Sequence, residues 1–183
     1  MAGSRVTLFP HTIQHLRALM EGAEVYERRF HIKVADGVRE FLMGPEVSAE
    51  FLARLNSAAK PDPWKDGFGI LHVANNILIG FCSFTGPPSV DGSVEIAYGM
   101  APGYQGRGHA TEAARAIVDY AFASGRVRTI QAHTLPEDNA STRVLQKCGF
   151  TRSGEIMHPT DGTVWRWELR RQRSEVGATP GNR

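Results

Sequence analysis

A chain of 183 residues, 42% hydrophobic and 22% charged, has the composition of one soluble globular unit with a sizeable core. Its net charge of +2 comes from interspersed signs, which gives no broad basic field and disfavours nucleic acid as a partner. Two cysteines make neither a disulfide framework nor a metal site, no apolar run approaches the roughly eighteen residues of a membrane span, and the start of the chain has no secretory h-region, so the expectation is a cytoplasmic protein with no membrane association.

Positions 4–9 read as a first strand and 10–20 as a helix, with Ile13, Leu16, Arg17 and Met20 at helical spacing. A short second helix is expected to follow. Positions 46–59 carry Val47, Phe51 and Leu55 on one stripe with Leu52 beside it, and the breakers Lys60-Pro61-Asp62-Pro63 close that helix. These early helices are expected to flank a substrate entrance. The run 68–84 reads as two strands joined at Asn75-Asn76, residue types that tolerate a left-handed turn. A third period-two run places Val94, Ile96, Tyr98 and Met100 against Glu95, Ala97 and Gly99, and Pro102-Gly103 ends it. Next, Ala110, Ala113, Ala114, Ile117, Val118 and Ala121 share one helix face while Glu112, Arg115 and Asp119 hold the wet side. Positions 129–134 form a fifth strand, and 150–157 and 164–170 two more around a turn at Asp161-Gly162, with Trp165, Trp167 and Leu169 in phase. The pattern is α/β (α+β), a mixed sheet with helices on both sides, as a single domain over 1–171; the tail 172–183 has almost nothing to bury and is expected to be disordered.

Between the third run and the long helix stands Gln105-Gly106-Arg107-Gly108-His109-Ala110. A helix start leaves several backbone N–H groups without internal partners and carries a partial positive charge, and glycines let that backbone approach an anion. Strand, glycine turn and helix together point to a phosphate cradle, although the same glycines also suit a turn made for geometry alone. The loop lacks the Gly-Lys-Ser/Thr ending of a Walker loop and the full GxGxxG fingerprint.

The segment Val94-Glu-Ile-Ala-Tyr-Gly-Met-Ala-Pro-Gly-Tyr-Gln-Gly-Arg-Gly-His-Ala-Thr-Glu-Ala resembles motif A of the GNAT superfamily of N-acetyltransferases, whose pattern Gln/Arg-x-x-Gly-x-Gly/Ala is filled by Gln105, Gly108 and Ala110. Asn139-Ala-Ser-Thr-Arg-Val-Leu-Gln-Lys-Cys-Gly-Phe resembles motif B of the branch typified by the ribosomal-protein N-terminal acetyltransferases. The resemblance implies a mixed, mostly antiparallel central sheet of about seven strands with helices on both faces. It implies acetyl-CoA as co-substrate with no metal, and transfer to a primary amine, on a small molecule or a protein N-terminus, by direct attack in a ternary complex. Carried over residue by residue, it places coenzyme A on the backbone of Tyr98, Gly99 and Met100, on Gln105, Gly106, Arg107, Gly108, His109, Ala110 and Thr111, and on Asn139 and Ser141. An N–H of the Tyr98–Met100 stretch would also steady the oxyanion of acyl transfer.

A lysine-like amine has an unperturbed pKa near 10, so a base must take its proton before attack. Glu95, ten positions before Gln105, is one candidate, and its alternative is a solvent-facing strand residue. His133, on the next strand, is the other, with packing or exposure as its alternative. The departing thiolate, reference pKa near 8.5, gains from a proton source. Many relatives use a Tyr four residues before the Gly of Gly-Phe; Leu145 stands there, and Ser141, on the same helix face, is the candidate replacement. Asp138, Asn139 and Ser141 also suit a helix N-cap, with Asp138 the preferred cap. His11 and His15 lie one helical turn apart without a third ligand. Two rival readings survive beside the enzyme: a catalytically silent acyl-CoA-binding sensor, and a phosphate-ligand enzyme of another kind, which would need a lysine or metal ligands at the loop. Positions 38–43 and 61–68 build the acceptor pocket without a readable motif, and the protein is expected to be a monomer or homodimer.

Overall fold

A computed structural model of the protein describes residues 4–42, 53, 55, 56, 60–159 and 161–172. In chain order, β1 (Val6–Pro10) leads into α1 (Ile13–Glu21), α2 (Ala23–Phe30), the two-residue β2 (Lys33–Val34), α3 (Val38–Leu42) and α4 (Pro63–Asp66). Then come β3 (Phe68–His72), β4 (Ile77–Phe84), β5 (Ser93–Met100), α5 (His109–Ala123), β6 (Thr129–Thr134), α6 (Ala140–Lys147), β7 (Thr151–His158) and β8 (Gly162–Arg170). Among the described residues the sheet has eight strands in the order β1-β3-β4-β5-β6-β8-β7, with β2 beside β4. Of the pairings there, β5–β6 and β2–β4 are parallel and the others antiparallel, so the sheet is mixed and mostly antiparallel.

The sequence pattern accounts for most of this. α1 starts where Thr12 accepts from the His15 N–H and the His15 ring accepts from the Thr12 N–H, a reciprocal cap. The β3–β4 turn is a short helical turn, Val73–Asn75, closed by Asn76 at φ 48°, a left-handed position that Asn tolerates. The expected helix at 46–59 lies almost wholly outside the described residues, within which Ala53 and Leu55 are helical and Leu55 is buried. The tail beyond 172 also lies outside them. At α6 the cap is Asn139, not Asp138: its side chain accepts from the Thr142 N–H at 3.1 Å while Thr142 Oγ1 accepts from the Asn139 N–H at 3.0 Å. Thr142, three residues on, completes this box for Asn139; Ser141 stands at the same spacing from Asp138, so the spacing alone does not select the cap.

Burial splits the sheet cleanly. Val94, Ile96, Ile130 and Ala132 are buried on the face covered by α5, whose Ala113, Ala114, Ile117, Val118 and Ala121 are themselves buried, with Leu145, Phe150 and Trp167 extending the same core. Each fully buried Ile or Leu contributes about 1.5–3 kcal/mol of transfer free energy, so this layer fixes where α5 begins relative to β5. Glu95, Ala97 and Gly99 point to the opposite face, together with Gln131 and His133 of β6.

The feature that makes a site is where two parallel strands part. β5 and β6 pair only from Ser93, Val94 and Glu95 to Thr129, Ile130 and Gln131. Beyond that, β5 stays with β4 through Met100 while β6 stays with β8 through Thr134, so the sheet opens as a V.

Candidate active site

The V has a chemically competent edge. In β5 the Glu95 carbonyl accepts from Thr85 and the Ala101 N–H donates to Ile79, so odd-numbered residues bond to β4. Antiparallel alternation then turns the N–H and C=O of Tyr98 and Met100 into the opening. Gln105 Nε2 donates to the Met100 carbonyl at 3.0 Å, which leaves the Met100 N–H and both polar groups of Tyr98 for a strand-like ligand. Tyr98 also spans the gap: its hydroxyl donates to the Ser141 carbonyl at 3.2 Å. Burial, with the Cys148 thiol adding to it, pushes the Tyr98 phenol well above the usual range, so it acts as a neutral donor. A cavity of about 210 Å³ is lined here by Phe41, Tyr98, Gly99, Gln105, Ser141 and Val144, among others.

At one end of the V is the helix mouth. Gly106 and Gly108 sit at φ 71° and 84°, a backbone that residues with a Cβ rarely adopt, so the glycines there are required by the turn itself. No side chain of the described residues caps α5 at Gly108, so its first N–H groups have no side-chain acceptor from the cap. The His109 and Thr111 side chains are buried, so those two residues can serve an anion only through their backbone. Burial, then Arg5 and His72, hold His109 below its ordinary pKa, which keeps the ring neutral. Sequence reasoning missed Arg5. Its guanidinium bonds Glu112 Oε1 at 2.5 and 2.8 Å and comes within 2.9 Å of where a Gly108 Cβ would stand, adding a cation beside the mouth. Arg107 is exposed in the loop.

At the other end, the two candidate bases meet. His133 Nδ1 and Glu95 Oε1 are 2.7 Å apart, with the side chains 15% and 30% exposed. With Glu95 ionised, a neutral His133 ring carries its proton on Nδ1 and keeps the lone pair of Nε2 free to accept. That Nε2 is buried and has no hydrogen-bond partner among the described residues. The strand pattern could not show this pairing, because it depends on β5 and β6 lying in parallel register. A second cavity, of about 350 Å³, is lined by His133, Thr134, Leu135, Asn139, Ser141 and Asp161, with Val164. Ser141 is common to both cavities, so it stands between the strand-like groove and the imidazole. Leu145, at the usual tyrosine position, is buried.

Phe41 was legible only as part of an acceptor region. It is 55% exposed, yet its ring lies on Gly99, whose missing Cβ makes the room: an added Cβ would fall within 2.4 Å of three ring carbons. Glu95 and Gly99 lie on one face with the exposed Ala97 between them, about 13 Å apart along the strand. A carboxylate–imidazole pair and an aromatic wall thus bracket one side of the opening. Among the described residues no group of three or more His, Cys, Asp or Glu is arranged to hold a metal.

A model of the acetyltransferase (GNAT) domain matches residues 5–151. The chain belongs to the GNAT acetyltransferase family. Among curated relatives it is 36% identical over 90 residues to the probable N-acetyltransferase YjcK of Bacillus subtilis, a match covering 48% of this chain and 49% of that protein. The chain spans about half the length of the curated relatives it matches. Ribosomal-protein-S5-alanine acetyltransferase from Vibrio fischeri shares the GNAT fold with TM-score 0.63 at 15% identity, covering 93% of this chain and 95% of that one. Aminoglycoside acetyltransferase AAC(6')-Ib, solved with coenzyme A, does so with TM-score 0.59 at 21% identity, covering 91% and 95%. Within the GNAT fold, no helix among the described residues is long and apolar enough to cross a membrane.

Proposed function

We propose that this protein is an acetyl-CoA-dependent N-acetyltransferase that moves an acetyl group to a primary amine, on a small molecule or a protein N-terminus, by direct attack in a ternary complex. The observation that carries it is the V between β5 and β6, with an uncapped, glycine-edged helix mouth at one end and the His133–Glu95 pair at the other. Relatives named as acetyltransferases of a ribosomal protein and of aminoglycosides support an amine acceptor of either kind.

The residues divide the work. N–H groups at Gly106, Gly108, Ala110 and their neighbours would hold the diphosphate of coenzyme A, with Arg5 and Arg107 adding positive charge. Tyr98 and Met100 would pair with the pantetheine arm through their backbone, placing the thioester near Ser141. Acetyl-CoA supplies the activated acyl group when bound. His133 Nε2 takes a proton from the amine, and Glu95, on the far side of the ring, holds the tautomer and stabilises the imidazolium. Ser141 and the Tyr98 hydroxyl are the donors nearest the place where the sulfur departs, in the absence of a tyrosine at 145. Asn139 contributes as the cap that positions Ser141 on the first turn of α6.

Thiol release measured over peptides, polyamines, amino acids and aminoglycosides tests the assignment and identifies the acceptor. His133→Gln is expected to lower kcat about 100-fold, the low end of general-base effects, with coenzyme A affinity unchanged. Glu95→Gln should lower kcat less, because the imidazole survives. Ser141→Ala should cost least, since a water can replace one hydroxyl. Wild-type rates in both His133→Gln and Glu95→Gln would place the base elsewhere.

A further inference from the structure

Acetyl transfer from a thioester to an alkylammonium ion yields an amide, a thiol and one proton. The ammonium loses two protons in all: one ends on the sulfur, and the other must leave the site. His133 receives the proton that leaves, but its Nδ1 already faces Glu95 and its Nε2 is buried. Discharge therefore needs a path other than direct contact of Nε2 with bulk water.

The β7–β8 hairpin supplies one. The His158 ring lies 6.2 Å from the His133 ring, centroid to centroid, with the planes tilted by 44°. His158 Nδ1 is in turn 3.1 Å from Asp161 Oδ2, and these side chains are 34% and 59% exposed. Asp161 lines the same cavity as His133 and Ser141. Exposure rises from His133 at 15% through His158 at 34% to Asp161 at 59%, and the ring spacing is beyond a direct ring-to-ring hydrogen bond, so a relay between the two imidazoles runs through a water. The other charged groups facing His133 are Arg166, directly opposite it on β8, and Glu168, which pairs with Arg166 at 2.8 Å. Glu168 also meets Arg170 at 3.4 Å, so this cluster carries one excess positive charge and offers the proton no alternative acceptor.

We propose that His158 and Asp161 form the proton exit of this site. Resting on the acetyl-transfer reading, the sequence is as follows. The amine N–H bond breaks and His133 Nε2 gains the proton. A bridging water accepts it and gives up another to His158, and the His158–Asp161 pair hands one proton to solvent. No electrons change hands, and His133 returns to its starting tautomer. His158 and Asp161 are positioning and relay residues that do not touch the acceptor.

The test uses the full chain, with Asp161→Asn and His158→Gln, in dilute buffer and with added imidazole. The expected result is a kcat about 10-fold below wild type in dilute buffer, a fraction of a general-base effect, recovered as imidazole rises, with the acceptor KM unchanged. Wild type should show no dependence on buffer. A loss confined to KM, or a low kcat that imidazole does not restore, overturns the relay and makes the hairpin an acceptor wall. A second arm needs no turnover: at one fixed pH, the ring nitrogen NMR signals of His133 should move in His158→Gln. Unmoved signals overturn the relay whatever the activity, whereas a moved signal without acetyl transfer to any amine counts against the function and leaves the chain of groups standing.

Discussion

Stability in acid should report on one histidine. His11 is 1% exposed, its ring packs edge-on against Phe9 and Phe81 at 5.1 Å, and it stacks at 5.7 Å with His15. Neither ring nitrogen has a hydrogen-bond partner among the described residues. Burial, and then the neighbouring His15, lower its pKa from 6.5 to about 3. In the unfolded chain the ring protonates below 6.5, while in the fold it stays neutral, so the unfolded state binds more protons and stability falls with pH. Integrated from pH 7 to pH 4, this one group removes about 3 kcal/mol, with a limiting slope of about 1.4 kcal/mol per pH unit. Burial lowers the pKa of His15 as well and steepens the slope in the same direction. Urea denaturation at each pH measures it, alongside His11→Phe, which keeps an aromatic ring between Phe9 and Phe81 but cannot titrate. The variant should lose most of the difference between pH 7 and pH 4. Equal acid sensitivity in the two proteins would refute the reasoning.

Two further outcomes test the site. Acetyl-CoA at about a hundred times its dissociation constant should add about 2.7 kcal/mol to the wild type, seen as a raised Tm, and Gly108→Ala should remove most of that shift while costing about 1–3 kcal/mol of its own, because φ is 84° and Arg5 is in the way; an undiminished shift would take the cofactor away from this helix mouth. Gly99→Ala should swing the exposed Phe41 ring out of the opening and change the acceptor KM while Tm stays within a few degrees, about 1 kcal/mol or less; an unchanged KM over the amine panel would remove Phe41 from the acceptor wall.

The chain's local signals fixed a good deal. Period-two alternation at Val94–Met100 and the apolar stripe of α5 are written in neighbouring residues, and the left-handed turns at Gly106 and Gly108 need glycine whatever surrounds them. Hence the strand, loop and helix of the cofactor end, and the mixed sheet around them, were readable directly. Capping was less so: Asp138 and Asn139 are both good caps and each has a hydroxyl residue three positions on, Ser141 and Thr142, so local spacing does not choose between them, and the fold takes Asn139 with Thr142. Short elements such as β2 and α3 carry too few residues for a period to show. What tertiary structure alone decided is which distant side chains share a space. Glu95 and His133 look like rivals along the chain and become one pair because β5 and β6 run parallel in a fixed register. Phe41 reaches Gly99, Arg5 reaches Glu112 and His158 reaches His133 through contacts between elements far apart in sequence, where no local spacing sets the distance. Backbone propensity acts over a few residues, whereas the chemistry here is assembled by packing against a shared core.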